Sequence, residues 1–179
     1  MLGTSGMRGI GKSEFLAQLL QRINHDDALD ATAAYVTFNG GEGSVAVTFA
    51  SMVDAGVATA VAFGRALLNA GGVALEETRD LQIQDALDVL RKLLGLEDTQ
   101  SLVVCIDEIG HLGEQGRLLM SRLMSLMDRS GGQLIFIFVH ISPLYLNKMT
   151  SGSGRPVRVI PLESLSIDVW KHIPEYLEA

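Results

Sequence analysis

Two uninterrupted apolar runs, Leu102–Ile106 (LVVCI) and Gln133–Ile141 (QLIFIFVHI), set the strongest limit on the fold. A strand with one wet face alternates apolar and polar residues. A strand that does not alternate is covered on both faces, and such strands belong to parallel sheets sandwiched between helices. The flanking segments supply the helices. Ser13–Ile23 places Phe15, Leu16, Leu19, Leu20 and Ile23 at helical spacing. Val53–Ala70 is Ala-rich and closes on Gly71-Gly72; Asp80–Leu94 is followed by Gly95; Glu114–Arg129 carries the stripe Leu119, Met120, Leu123, Met124, Met127. Glycine just after a periodic segment suits a helix C-terminus, and the Met-rich stripe reads as core packing. Ala33–Phe38, ended by Asn39-Gly40-Gly41, and the weaker Val157–Pro161 read as further strands. This alternation predicts a three-layer α/β fold with a mostly parallel sheet. A chain of 179 residues suits a single domain, 1–179.

The stretch Gly6-Met7-Arg8-Gly9-Ile10-Gly11-Lys12-Ser13 fits GxxxxGK followed by Ser or Thr. A loop that wraps a phosphate turns its backbone N–H groups inward. Glycines permit the angles this needs and leave room for the ligand. The helix that follows adds the positive end of its dipole. Lys12 then brings a point charge to the outer phosphates, and the Ser13 hydroxyl serves a Mg²⁺ ion. The alternative is a glycine-rich turn, which the helix after Ser13 disfavours.

The run LVVCI ends in Asp107-Glu108. A carboxylate at the C-terminal tip of a strand beside a phosphate loop can hold Mg²⁺, the role expected of Asp107. Glu108 is placed to orient or deprotonate an attacking water. Two carboxylates at a buried strand end repel unless a cation joins them. An exposed strand-to-helix turn is the plainer alternative.

GTSGMRGIGKSEFL, AYVTFNGG, LVVCIDEIGHL and IFVHISPL together resemble the nucleotide-binding core of P-loop ATPases of the AAA+ and STAND kind. The finer likeness is to the ATPase-like region of Crinkler effectors and of trypanosomatid retrotransposon-hot-spot proteins. It spans roughly Gly3 to Leu165. The resemblance implies a P-loop NTPase fold, ATP and Mg²⁺ as ligands, and a γ-phosphate sensor at the polar end of the next strand. Ser142 is the candidate there; His140 reads as a satisfied histidine at a strand end. It also implies a strand ahead of the phosphate loop, in the middle of the sheet beside the Walker B-side strand. Only Met1, Leu2 and Gly3 are available for it, so this first strand is expected to be largely missing, leaving an open slot with unpaired backbone groups. No lid domain is expected after the core. The chain is therefore read as a fragment truncated at both ends, or as one whose slot is filled by a partner or nonlocal segment. Turnover is expected to be slow, since such families use a lid and an arginine from a neighbour. Arg117, Arg122 and Arg129 are read as a solvated helix face, the alternative being an arginine finger offered to an adjacent subunit.

Other chemistries fit less well. Asp107-Glu-Ile-Gly110 matches the DxxG of GTPases, but Asn147-Lys-Met-Thr150 lacks the carboxylate of NKxD, so ATP is preferred to GTP. A non-catalytic effector or interaction module that keeps the fold is the alternative of a different class. The four histidines show no metal spacing with the single Cys105, and there is no GxSxG elbow. A net charge of -7 argues against a general nucleic-acid or membrane surface, so the expected partners are ATP, further copies of the chain or flanking domains. The start MLGTSGMRG lacks the apolar block of a secretory signal and no run is long enough to span a bilayer. The expected location is intracellular, in the cytoplasm.

Overall fold

The computed structural model describes residues 2–5, 11–26, 28–38, 59–74, 77, 80–140 and 158–161. Its elements run β1 (Leu2–Ser5), α1 (Lys12–His25), β2 (Ala31–Thr37), α2 (Thr59–Ala70), α3 (Ile83–Leu93), β3 (Ser101–Asp107), a short 3-10 turn (Ile109–Leu112), α4 (Gly113–Arg129), β4 (Leu134–His140) and β5 (Arg158–Pro161). The five strands form one sheet in the order β2-β3-β4-β1-β5. Every pairing among them is parallel.

The two apolar runs become β3 and β4, adjacent strands near the middle of the sheet. Strand alternation then sorts their side chains onto two faces. Val103, Cys105, Ile137, Val139 and Ala33 face α1 and pack against its stripe of Phe15, Leu16, Leu19 and Ile23. Leu102, Val104, Ile106, Phe136, Phe138, Ala34 and Val36 face the other way, onto α2, α3 and α4. This gives the three layers the sequence predicts. The second face is the thicker. Phe63, Phe136 and Phe138 are fully buried in it, each contributing about 1.5–3 kcal/mol of burial. The Met-rich stripe of α4 packs there as expected, with Leu119, Met120, Leu123 and Met124 buried and Met127 against them. Gly64 lies inside α2, where glycine usually costs stability. A Cβ there would come within 2.6 Å of the Leu81 carbonyl oxygen, so the bare backbone is what lets α2 approach the segment before α3.

The first strand is short, as expected: four residues against seven in β2, β3 and β4. Its placement differs from expectation in two respects. It extends to Ser5 rather than ending at Gly3, and these four residues themselves lie between β4 and β5, in register with Ile137–His140 on one side and Arg158–Pro161 on the other. The expected open slot is closed over that length, because the backbone groups of β1 pair on both sides. Its inner neighbour is β4, which separates it from the Asp107 strand β3. The predicted helix over Val53–Ala70 is described from Thr59 onward. Among the described residues no helix is long and apolar enough to cross a membrane.

Candidate functional site

Five of the residues expected to cradle phosphate, Gly6, Met7, Arg8, Gly9 and Ile10, lie outside the described residues, as does Ser142. Asn147–Thr150, the weak guanine-reading motif, lies outside them too. The end of the glycine stretch is described. Gly11 has φ 87° and ψ 23°, a left-handed conformation that glycine adopts without a steric penalty. Its carbonyl accepts the Phe15 N–H at 2.8 Å, which starts α1 at Lys12. No side chain caps this helix. The start of α1 turns the positive end of its dipole toward the glycine stretch.

The acidic tip is built by the sheet. Asp107 is the last residue of β3, held between the ends of both neighbouring strands. The Phe38 N–H after β2 donates to the Asp107 carbonyl at 2.9 Å, and the Glu108 N–H donates to the β4 carbonyl of Val139 at 3.0 Å. Glu108 then turns with φ 54° and ψ 35°, the left-handed region that a glutamate rarely takes. Strained backbone of this kind persists only where its surroundings hold it, and it gathers at functional sites. Among the described residues, Lys12 (6 % exposed), Asp107 (0 %) and Glu108 (7 %) are the buried charged ones. All three were singled out from the sequence.

The two motifs meet. The Ser13 hydroxyl donates to Asp107 Oδ2 at 2.7 Å, across 94 residues of sequence. A second hydroxyl, from Tyr35 on β2, donates to the same oxygen at 3.0 Å. Thr37, two residues along the same strand, hydrogen-bonds in turn with Tyr35. Burial, and then the charge of Asp107, hold the Tyr35 phenol well above its ordinary pKa, so it stays a donor. Tyr35 was missed in the sequence because nothing there shows that β2 lies against β3. The one usable signal was parity: Tyr35 and Thr37 share a strand face, and in register Tyr35 is opposite Cys105 and Thr37 opposite Asp107.

The other oxygen, Asp107 Oδ1, is buried without a hydrogen-bond partner among the described residues. A buried carboxylate oxygen in that state is costly, and a cation is one group that satisfies it. No cluster of three or more His, Cys, Asp or Glu suited to a metal occurs among the described residues. A single carboxylate with a hydroxyl beside it suits Mg²⁺, which keeps several waters and draws its remaining oxygens from phosphates. The described residues therefore fit that ion.

The arginines of α4 lie elsewhere. Arg117 pairs with Glu114 on its own helix. Arg122 and Arg129 line a cleft of about 360 Å³ with Gln82 and Gln84 at the start of α3 and with Ser121 and Ser125. All three are exposed, in keeping with a solvated face.

No family model matches the chain, and no curated protein does. Among solved structures it is similar to the Orc1 protein of Aeropyrum pernix in complex with DNA, at TM-score 0.55 and 17 % identity, over 99 % of this chain and 43 % of that one. The chain has a three-layer α/β fold of the P-loop NTPase kind. It spans less than half the length of that neighbour. One expectation is corrected here. Net acidity was taken to argue against a nucleic-acid surface, with no nucleic acid among the expected partners, yet a protein of the same fold stands in complex with DNA. Summed charge is a poor guide on this fold, because phosphate contacts depend on where Lys and Arg lie and not on their total.

Proposed function

We propose that this AAA+ fold binds Mg-ATP and hydrolyses it slowly. The observation that carries the reading is the 2.7 Å hydrogen bond from the Ser13 hydroxyl to Asp107 Oδ2. It brings the end of the glycine-rich stretch to the acidic strand tip, as a phosphate-and-metal site requires.

In this reading Gly6, Met7, Arg8, Gly9, Ile10 and Gly11 wrap the phosphates with backbone N–H groups, and the start of α1 continues that lining. Lys12 sets its ammonium against the outer phosphates. Its shielding from water strengthens that attraction. Ser13 and Asp107 hold Mg²⁺, which when bound neutralises charge developing on the phosphates. Glu108 orients the attacking water and accepts its proton. Ser142 reads the γ-phosphate. The finer kinship, with Crinkler effectors and retrotransposon-hot-spot proteins, rests on the four stretches quoted above. An arginine supplied by another copy or a flanking domain completes the transition-state charge in such sites, which is why hydrolysis by this chain alone is proposed to be slow. DNA is retained as a candidate partner on the strength of the Orc1 neighbour, and a mobility-shift titration with duplex, with and without Mg-ATP, tests it.

A thermal-shift titration tests the core of the reading. Mg-ATP raises the melting temperature of the wild-type chain, and the Lys12→Ala variant, folded by circular dichroism, loses that response. Excess GTP competes poorly. An absent response in the wild type sinks the proposal, and an equal response in Lys12→Ala removes the glycine-rich stretch from it.

A further inference from the structure

Asp107 Oδ2 accepts two hydroxyls, and only one of them comes from the glycine-rich motif. The other belongs to Tyr35, in the middle of an adjacent strand. From this geometry we infer that Tyr35 is a positioning residue for the metal: its hydroxyl fixes the plane of the Asp107 carboxylate so that Oδ1 is the oxygen offered to Mg²⁺. The inference rests on the Mg-ATP reading above and adds a residue to it.

The carboxylate of a strand-end aspartate rotates about its last torsion, and that torsion is broad. One donor leaves it free to swing about a single contact. Two donors on the same oxygen, arriving from α1 and from β2, restrict it. Oδ1 is then the oxygen left buried without a hydrogen-bond partner among the described residues. Tyr35 is itself held. Its ring lies half-buried beside Ala33 and Cys105 on the face that packs against α1, and Thr37 hydrogen-bonds with its hydroxyl. The arrangement is therefore a chain of contacts from Thr37 through Tyr35 to Asp107, with Ser13 closing it from the other side. An outer-sphere partner that orients a metal-binding carboxylate typically changes metal affinity by tenfold or more when removed. Ser13 cannot substitute for it, because the same hydroxyl is required by the metal.

The test compares ATP affinity in Mg²⁺ with ATP affinity in EDTA. In the wild type the ratio of the two measures how strongly the metal reinforces nucleotide. Tyr35→Phe keeps the ring and removes the hydroxyl. Its ratio is expected to fall about tenfold, the size of one hydrogen bond to a charged group, with affinity in EDTA unchanged. Thr37→Val, which frees the tyrosine hydroxyl to turn, is expected to lower the ratio about threefold by the same route, and it carries the test if Tyr35→Phe does not fold. Equal loss of affinity with and without Mg²⁺ assigns Tyr35 a structural role and overturns the inference. An unchanged ratio in both variants overturns it as well, while leaving the Mg-ATP reading intact. A wild-type chain that binds no ATP in either condition overturns both.

Discussion

The two faces of the sheet are made from the same strands and do different work. The face toward α2, α3 and α4 is packed by Leu, Val, Ile, Phe and Met, with Phe38 and Phe63 stacked at 6.3 Å and Phe136 beside Phe138 at 6.1 Å. The face toward α1 is thinner, and it is the one that holds Tyr35, Cys105 and Asp107. A parallel sheet places both kinds of residue on one strand at alternate positions, so Val104 and Ile106 anchor the first face while Cys105 and Asp107 belong to the second. The lesson is that stability and ligand response are separable here by parity along β3.

Substitutions can break or sharpen that contrast. The largest effect is expected from Phe136→Ala on the thick face, which removes a fully buried ring and costs about 3–5 kcal/mol in denaturant unfolding. If the chain remains folded, its response to Mg-ATP persists, and a loss confined to the ligand response would contradict the separation. Next comes Lys12→Ala on the α1 side. Its unliganded stability stays close to wild type, but the stabilisation by nucleotide, about 2.7 kcal/mol at a hundredfold excess over Kd, disappears.

One pH effect belongs to the thin face. Burial pushes the Cys105 thiol up to about 12 from an ordinary value near 9. Below pH 9 the thiol is neutral whether the chain is folded or not, and its full contribution to stability is present. Between about 9 and 12 the unfolded chain releases the proton and the folded chain keeps it, so stability falls with rising pH, by at most about 1.4 kcal/mol per unit. Cys105→Ala is expected to flatten that slope in urea unfolding across the window, and an unchanged slope would remove Cys105 as its cause. The smallest effect is expected from Glu108→Gly. Relief of the left-handed backbone raises stability by about 1 kcal/mol, while ATP turnover drops because the water-orienting carboxylate is gone.

Much of the fold was legible because it depends on short-range pattern. The continuous runs around Val103 and Phe136 announced covered parallel strands, and the spacing of Phe15, Leu16, Leu19 and Ile23 announced α1. The candidate charges Lys12, Asp107 and Glu108 were legible as well, since a carboxylate pair at a strand tip and a lysine after glycines are local signals. Ladder partners were not. The reduced first strand was read as leaving a gap, whereas Leu2–Ser5 pairs with both β4 and β5. The expectation of no nucleic-acid partner is corrected for a related reason: it summed charge over the chain and could not see where charge lies.

By itself the sequence determined periodicity, punctuation and the residue types able to meet phosphate and a divalent ion, because these follow from spacing within a dozen residues. Only the tertiary structure decided the strand order, the left-handed turn at Glu108 and the convergence of Ser13 and Tyr35 on one oxygen of Asp107. Those depend on which strands lie side by side, and hydrogen bonds across 72 and 94 residues leave no periodic trace in the chain.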